Sequence, residues 1–382
     1  MSIPIDYATL RVIWWILLGL LLIGFAVMDG FDLGIGMLLH RVARTDEERR
    51  IVLNTIGPIW EGNQIWLVLG AGAIFAAWPE IYAVSFSNFY YAMLFVLFAL
   101  ILRPVGFKYR SKIASTVWRS MWDLGLFIAG FVPAFIFGVA IGNVLQGIPF
   151  YFDENIQSFY TGTFFGLLNP FALLCGLVSV FMLVMHGGVF LSIKTEGIIQ
   201  RRAIYFARLS AVLTMILFAG ASFWVAFHIS GFVLTDPILF DGYSNPLHKK
   251  VVTQIGAWLM NYIQYPWLFS IPLSGLMGAL AAIIFVSLRF GKTAWFFSAI
   301  SIASIVATAG VGMFPFILPS STHPEMSLLV WDASSSHLTL FIMLIATAIF
   351  LPIILLYTSW VYYVLRGKVT SDYVNHNTRN VY

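Results

Sequence analysis

Long apolar runs broken by short polar punctuation organise this chain from end to end. A membrane-crossing helix needs about 20 predominantly apolar residues. Nine runs meet that length, roughly 12–39, 55–78, 80–105, 123–147, 167–192, 204–230, 263–288, 294–318 and 337–365. Helix is the expected conformation in each, because lipid offers no partner to backbone N–H and C=O groups and nothing in the pattern points to a barrel. The tightest break falls at Trp78-Pro79-Glu80, where two runs are joined by a very short turn. The first run, Val12 to Leu39, has no positive segment before it and is too long for the apolar core of a signal peptide, about 7–15 residues. It is read as a first span. The predicted fold is an all-α integral membrane protein of about nine transmembrane helices, a single polytopic unit over residues 1–382 with a short polar tail after 365. No loop is long enough to form a separate domain, and no internal repeat is visible.

Composition agrees. The chain is 60% hydrophobic and 10% charged, against about 25% charged for a soluble domain. A chain so poor in charge cannot clothe a water-facing globule, but it can clothe one that faces lipid. Its 21 Lys and Arg residues follow the odd-numbered runs, with Arg11, Lys249 and Lys250 the exceptions. Positive loops stay cytoplasmic, so the N-terminus is expected outside and the C-terminus inside. The loop over 148–166 carries Asp153 and Glu154 without any Lys or Arg, and the longest outer loop, 231–262, carries Asp236 and Asp241. No nucleic-acid partner is expected.

Charges within spans are costly and are functional candidates by default. Asp29 and Asp32 lie on the inner half of the first run, in MDGFDLG, and Glu61 lies near the inner end of the second, in PIWEGNQIW. At about 1.5 Å per residue, Asp29 is roughly 15 Å from the end of its run and Glu61 roughly 10 Å from the start of its own. An antiparallel hairpin would hold them at comparable depth, with Asn63 and Gln64 adding polar groups. Three acids and two amides in one hairpin suit a proton path, since burial raises carboxyl pKa values toward neutrality. For Asp29 a structural hydrogen bond to a neighbouring helix is equally open, and Asp32 is near enough to the inner surface to be solvated or paired with a loop arginine. Gly30 and Gly34 form a small-xxx-small pattern that points to close helix packing. After the third run, Arg103, Lys108, Arg110 and Lys112 read as interfacial anchors, with Lys112 the candidate for gathering protons at a path's mouth. Trp331, Asp332 and the following serines resemble a helix cap under a polar outer loop, and His323 reads as exposed.

Other chemistry is sparse. Cys175 is the sole cysteine, which excludes an internal disulfide and a cysteine-based metal site. His186 is the one histidine near the inner half of a span, and no two histidines share a helix at a useful spacing, so haem ligation wholly within this chain is not expected. No metal site and no soluble-enzyme motif is visible. The Trp14-Trp15, Trp60/Trp66/Trp78 and Trp118/Trp122 groups fit interfacial aromatic belts.

Several long segments, in order, carry a resemblance. WWILLGLLLIGFAVMDGFDLGIGML, ERRIVLNTIGPIWEGNQIWLVLGAGAIFAAWP, RPVGFKYRSKI, TGTFFGLLNPFALLCG, MFPFILPSST and SLLVWDASSSHLTL resemble subunit II of the cytochrome bd-type quinol oxidases over essentially the whole chain. The resemblance implies a multi-pass protein of the bacterial inner membrane, in a complex that oxidises quinol and reduces dioxygen to water. It implies a partner, subunit I, carrying the quinol site, two haems b and one haem d, with small accessory subunits and a structurally bound quinone as further candidates. This chain would be haem-free, with no catalytic residue of its own, and would contribute to a cytoplasmic proton pathway. By position, Glu61 matches the acid of the family's W-[DE]-G-N segment, Lys112 a basic residue near the pathway entrance, and Tyr382 the terminal tyrosine near it. Some relatives have Asp in place of Glu61, and a close relative has an acid where this chain has Lys108. Asp29 completes the candidate pathway. The competing reading is a proton-coupled secondary transporter using Asp29 and Glu61, although broken helices and inverted repeats around a midplane site are not evident.

Overall fold

The computed structural model describes residues 3–236, 239–247 and 249–372. Its first span is a helix with an irregularity at Asp29, which divides α1 (Tyr7–Met28) from α2 (Gly30–Val42). A short amphipathic helix, α3 (Asp46–Ile56), precedes α4 (Trp60–Ala77). The next two, α5 (Pro79–Asn88) and α6 (Tyr90–Tyr109), follow each other across Phe89. Then come α7 (Thr116–Gln146), α8 (Pro170–Lys194) and α9 (Gly197–Phe227). A single-turn α10 (Met260–Gln264) leads into α11 (Ser270–Ser287), α12 (Gly291–Met313) and α13 (His337–Val364).

Among the described residues, eight helical segments are long and apolar enough to cross a membrane. The expected second span is not one of them, because Glu61, Asn63 and Gln64 crowd the first turn of α4. Its packing nevertheless gives it the depth of a span. Side chains on α4 meet α1 in antiparallel order, Trp66 over Gly24 and Gly70 under Leu22, and Asn63 reaches Asp32 on α2. The chain ends require a ninth pass as well. At one end of the bundle, Ile5 O accepts from His337 Nε2 and Ala77 O accepts from Ser335 N. At the opposite end the segment after α13 is held by α8, where Val369 N donates to Lys194 O at 2.9 Å.

The expected start of the second span at residue 55 shifts to Trp60. Thr45 and Glu48 form a reciprocal capping box and make a separate helix of 46–56. Thr45→Ala should cost about 1 kcal/mol, read as a lower unfolding midpoint of the purified protein. The break at Trp78 falls where expected, with Pro79 opening the next helix.

The loops hold three antiparallel ribbons that the hydropathy pattern does not show: β1 (Phe150–Phe152) with β2 (Ser158–Tyr160), β3 (Ser230–Leu234) with β4 (Val251–Ile255), and β5 (Phe316–Leu318) with β6 (Leu328–Leu329). They share one end of the bundle. A bridge links Ile148 to Ser320, and Phe232 contacts both Trp258 and Phe316.

Two of the three basic residues expected on the outer side are structural. Arg11 is buried and donates to Ser334 Oγ, Phe240 O and Gly242 O at 2.6–3.0 Å. Lys249 is buried against Asp332 at 2.6 Å. Burial pulls the Lys249 amine below its usual range and pushes the Asp332 carboxyl above its own, and each charge offsets part of the other's shift. Asp332 is therefore not the expected cap. Ser336 caps α13.

Helix crossings use small residues, as the Gly30/Gly34 spacing suggests. A Cβ on Gly34 would fall on the Leu183 carbonyl, and Gly187 faces the same crossing of α2 with α8. Gly36 and Gly130 play the same part between α2 and α7. The aromatic belt expectation needs correction. Trp14, Trp60, Trp66 and Trp78 are buried between helices, and the Trp14 and Trp78 indoles donate to Leu340 O and Val330 O. A tryptophan can bury its ring inside a bundle when its N–H finds a carbonyl.

Candidate functional site: a buried ion pair beside an exposed carboxylate

Two aspartates and one arginine meet inside the bundle. Asp29 stands at the irregularity between α1 and α2, and Asp32 lies one turn further along. From α6, the Arg103 guanidinium spans both Asp29 oxygens, Nη2 to Oδ1 at 2.7 Å and Nη1 to Oδ2 at 3.1 Å, with Asp32 Oδ2 at 3.9 Å from Nη2. All three side chains are buried. Arg103 is thus the structural counter-ion of the first span, not the interfacial anchor its sequence position implies. Asp32 is not solvated either. Asn63 Nδ2 of α4 donates to its Oδ2 at 2.8 Å, and Tyr362 OH of α13 donates to Asn63 Oδ1 at 2.7 Å. Among the described residues, Asp32 Oδ1 and the Trp60 indole N–H lack a hydrogen-bond partner. Hydrogen bonds and ion pairs together therefore join helices from four parts of the chain in one set. Tyr362→Phe removes only the outermost donor and should cost about 1 kcal/mol, a small drop in unfolding midpoint with assembly retained.

Glu61 occupies a different position from the one expected. It lies at comparable depth, since Arg103 Cζ sits 5.7 Å from the ring of the adjacent Trp60. Its side chain, however, is exposed on the chain's outer face. It heads a stripe at helical spacing along α4, followed by Ile65, Val68, Gly72 and Phe75, all exposed. The three acids therefore do not form one buried chain. Asp29 and Asp32 face inward and share a cation, and Glu61 faces outward on an apolar surface. Trp60 stacks on Phe107 with ring centroids 5.4 Å apart, which sets the first turn of α4 beside the last turn of α6 and its Lys108. Lys108 and Lys112 are both exposed at that end of the bundle. Neither forms an ion pair with Glu61 among the described residues. Tyr382 lies outside the described residues.

A second ionic set, missed in the sequence, fixes the same end. Asp123, at the start of the fourth expected span, is buried and takes Arg110 and Arg49, the latter at 2.8 Å. Asp46 takes Arg110 at 2.9 Å and Arg119 at 2.7 Å. Burial alone would pull the Arg110 guanidinium down, but its carboxylate partners outweigh that and raise it. These arginines staple α3 to the turn between α6 and α7. The only hint in the sequence is a lone acid, Asp123, in a basic stretch.

Among the described residues no cluster of His, Cys, Asp and Glu is arranged to hold a metal ion. His186 does not fit a haem axial ligand, because its ring nitrogens are engaged by Ser298 Oγ at 2.7 Å and Val27 O at 3.1 Å. His323 is half-buried against Tyr151 and not fully exposed as expected.

The fold and this cluster define a polytopic helical membrane protein with a buried ionic core, two aspartates sharing one arginine, and an acid exposed on its apolar surface. The chain belongs to the cytochrome bd terminal oxidase subunit II family, whose pattern matches residues 10–365. It is 50% identical to cytochrome bd-I ubiquinol oxidase subunit 2 of Escherichia coli K12, covering 99% of this chain and 100% of that protein. It is 31% identical to cytochrome bd ubiquinol oxidase subunit 2 of Bacillus subtilis, covering 95% and 98%. The solved bd oxidase of Geobacillus thermodenitrificans shares the fold, with a TM-score of 0.68 at 16% identity over 94% of this chain and 97% of that one. The transporter reading finds no support in these relatives.

Proposed function

We propose that this chain is the second subunit of a bacterial inner-membrane quinol oxidase. Its part is to hold a haem-bearing partner and pass protons toward it from the cytoplasm. The relatives' names support the oxidase assignment. Reduction of dioxygen to water consumes a proton for every electron, so a complex fed electrons by quinol must also be fed protons.

The observation that carries the proton role is Glu61. A carboxyl group on a lipid-facing surface is costly. One that heads an exposed apolar stripe is accommodated when a partner covers it and accepts its proton. Lys108 and Lys112, exposed at the same end, would draw the entrance toward the cytoplasmic surface. The concentration of Lys and Arg in the loops at that end supports this orientation. Asp29 then acts through position, as half of the Arg103 pair that supports α4, and not as a free proton carrier.

In this reading the two haems b and the haem d belong to subunit I and supply its electron transfer and oxygen chemistry. The occupied ring nitrogens of His186 favour that division. A structural quinone would lie on exposed helix faces. The apolar cleft lined by Phe89, Phe95, Phe135 and Phe164 is about 50 Å³, space for a few waters at most.

Gentle purification of the tagged chain from its native membrane tests the assignment. The expected result is a larger partner that co-purifies and gives b- and d-type bands in a reduced-minus-oxidised spectrum. A chain recovered alone and colourless from intact membranes would overturn it.

A further inference from the structure

A concave basic site lies between the end of α2 and the start of α9, at the end of the bundle opposite the ribbons. It has a volume of about 420 Å³ and is walled by His40, Arg41, Arg44, Arg201, Arg202, Tyr205 and Phe206. That volume is within the range of small-molecule sites, about 300–1,000 Å³.

Its charges are not balanced from within. Arg202 is engaged, donating to Val42 O at 3.0 Å and pairing with Glu48 at 2.9 Å. Among the described residues no carboxylate lies within 4.0 Å of the guanidinium groups of Arg41, Arg44 or Arg201. All three are exposed. Elsewhere at this end, Arg49, Arg110 and Arg119 are each paired with Asp46 or Asp123. Arg41, Arg44 and Arg201 therefore bring three guanidiniums without a carboxylate partner to one hollow, whereas an exposed cation such as Arg208 lies outside it.

The hollow also opens onto an apolar track. From its Tyr205 wall, exposed side chains continue along α9 at helical spacing: Tyr205 at 62%, Leu209 at 44%, Val212 at 41% and Ile216 at 62% exposed. A free anion would need the arginines but not the track. A molecule with an anionic head and long apolar chains would use both. Basic pockets between membrane helices on the cytoplasmic side bind such lipid headgroups, and guanidinium forks match phosphate geometry.

We propose that this hollow is a specific site for an anionic phospholipid, its phosphate held by Arg41, Arg44 and Arg201 and its acyl chains laid along α9. The site is separate from the Glu61 face, since α9 packs on α8, α11 and α2 whereas α4 packs on α1 and α5.

The test uses the intact complex in neutral detergent, titrated separately with phosphatidylglycerol, phosphatidylcholine and inorganic phosphate. Phosphatidylglycerol should bind saturably, with the other two binding far more weakly. The triple variant R41Q/R44Q/R201Q should lose affinity on the order of 100-fold, and R201Q alone about five-fold. The single variant keeps the test informative if the triple variant fails to assemble. R208Q, an exposed arginine on α9 outside the hollow, should bind as the unaltered complex does. Three results would overturn the proposal: unchanged binding in R201Q and the triple variant, equal loss in R208Q, or displacement of phosphatidylglycerol by equimolar inorganic phosphate. The last would mark a site for free anions.

Discussion

Replacing Arg103 by leucine should destabilise the protein by about 3–5 kcal/mol, the usual cost of removing one partner from a buried ion pair. The geometry puts this site at the upper end of that range. Arg103 is 3% exposed, holds Asp29 through both guanidinium arms and lies 3.9 Å from Asp32. Leucine would leave two buried carboxyl groups facing each other without a cation. The expected readout is a sharp fall in yield and unfolding midpoint of the detergent-purified complex. Arg103→Lys should recover part of the loss, because it keeps the charge but cannot span both Asp29 oxygens. Wild-type stability in the leucine variant would mean that the aspartates need no counter-ion.

Replacing Glu61 by glutamine should do the reverse, sparing the fold and removing activity. The side chain is exposed on this chain and makes no ion pair among the described residues, so the protein itself has little to lose. A glutamine keeps the shape but cannot take up and release a proton. Oxidase turnover should fall by ~10²-fold, the low end of what loss of a positioned proton-transfer group costs, with the haem spectrum and subunit ratio unchanged. Glu61→Asp should keep most of the turnover, since it preserves the titrating group on a shorter arm.

The spans were legible because a lipid-facing helix must be apolar almost throughout. Even α4, whose first turn is polar, could be placed by the segregation of Lys and Arg between odd and even loops. The pairing of charges was not legible. Asp29 and Arg103, and likewise Arg49 and Asp123, are 74 residues apart in sequence, and hydropathy gives no sign of which distant helix supplies a counter-ion. Arg11 and Lys249 looked like stray outer charges for the same reason. The tryptophans misled because a belt ring and a core ring share one composition, and which of them a ring becomes depends on the helices that pack over it, as at Trp14 and Trp60. The outward direction of Glu61 was readable, however. Positions 61, 65, 68, 72 and 75 repeat at helical spacing, and the polar Asn63 falls off that stripe, toward α2. The ribbons escaped notice because strands of two to five residues in short loops carry too little period-two pattern.

The central claim is that protons for oxygen reduction pass through Glu61 from the cytoplasmic side. The most direct measurement is proton uptake during a single turnover of the fully reduced complex, followed with a pH indicator, for the unaltered protein and Glu61→Gln side by side. The account predicts that uptake and haem oxidation slow together in the variant, while oxygen binding proceeds at the normal rate. Uptake at an unchanged rate in the variant would contradict it, and would leave Glu61 as a contact to the partner alone.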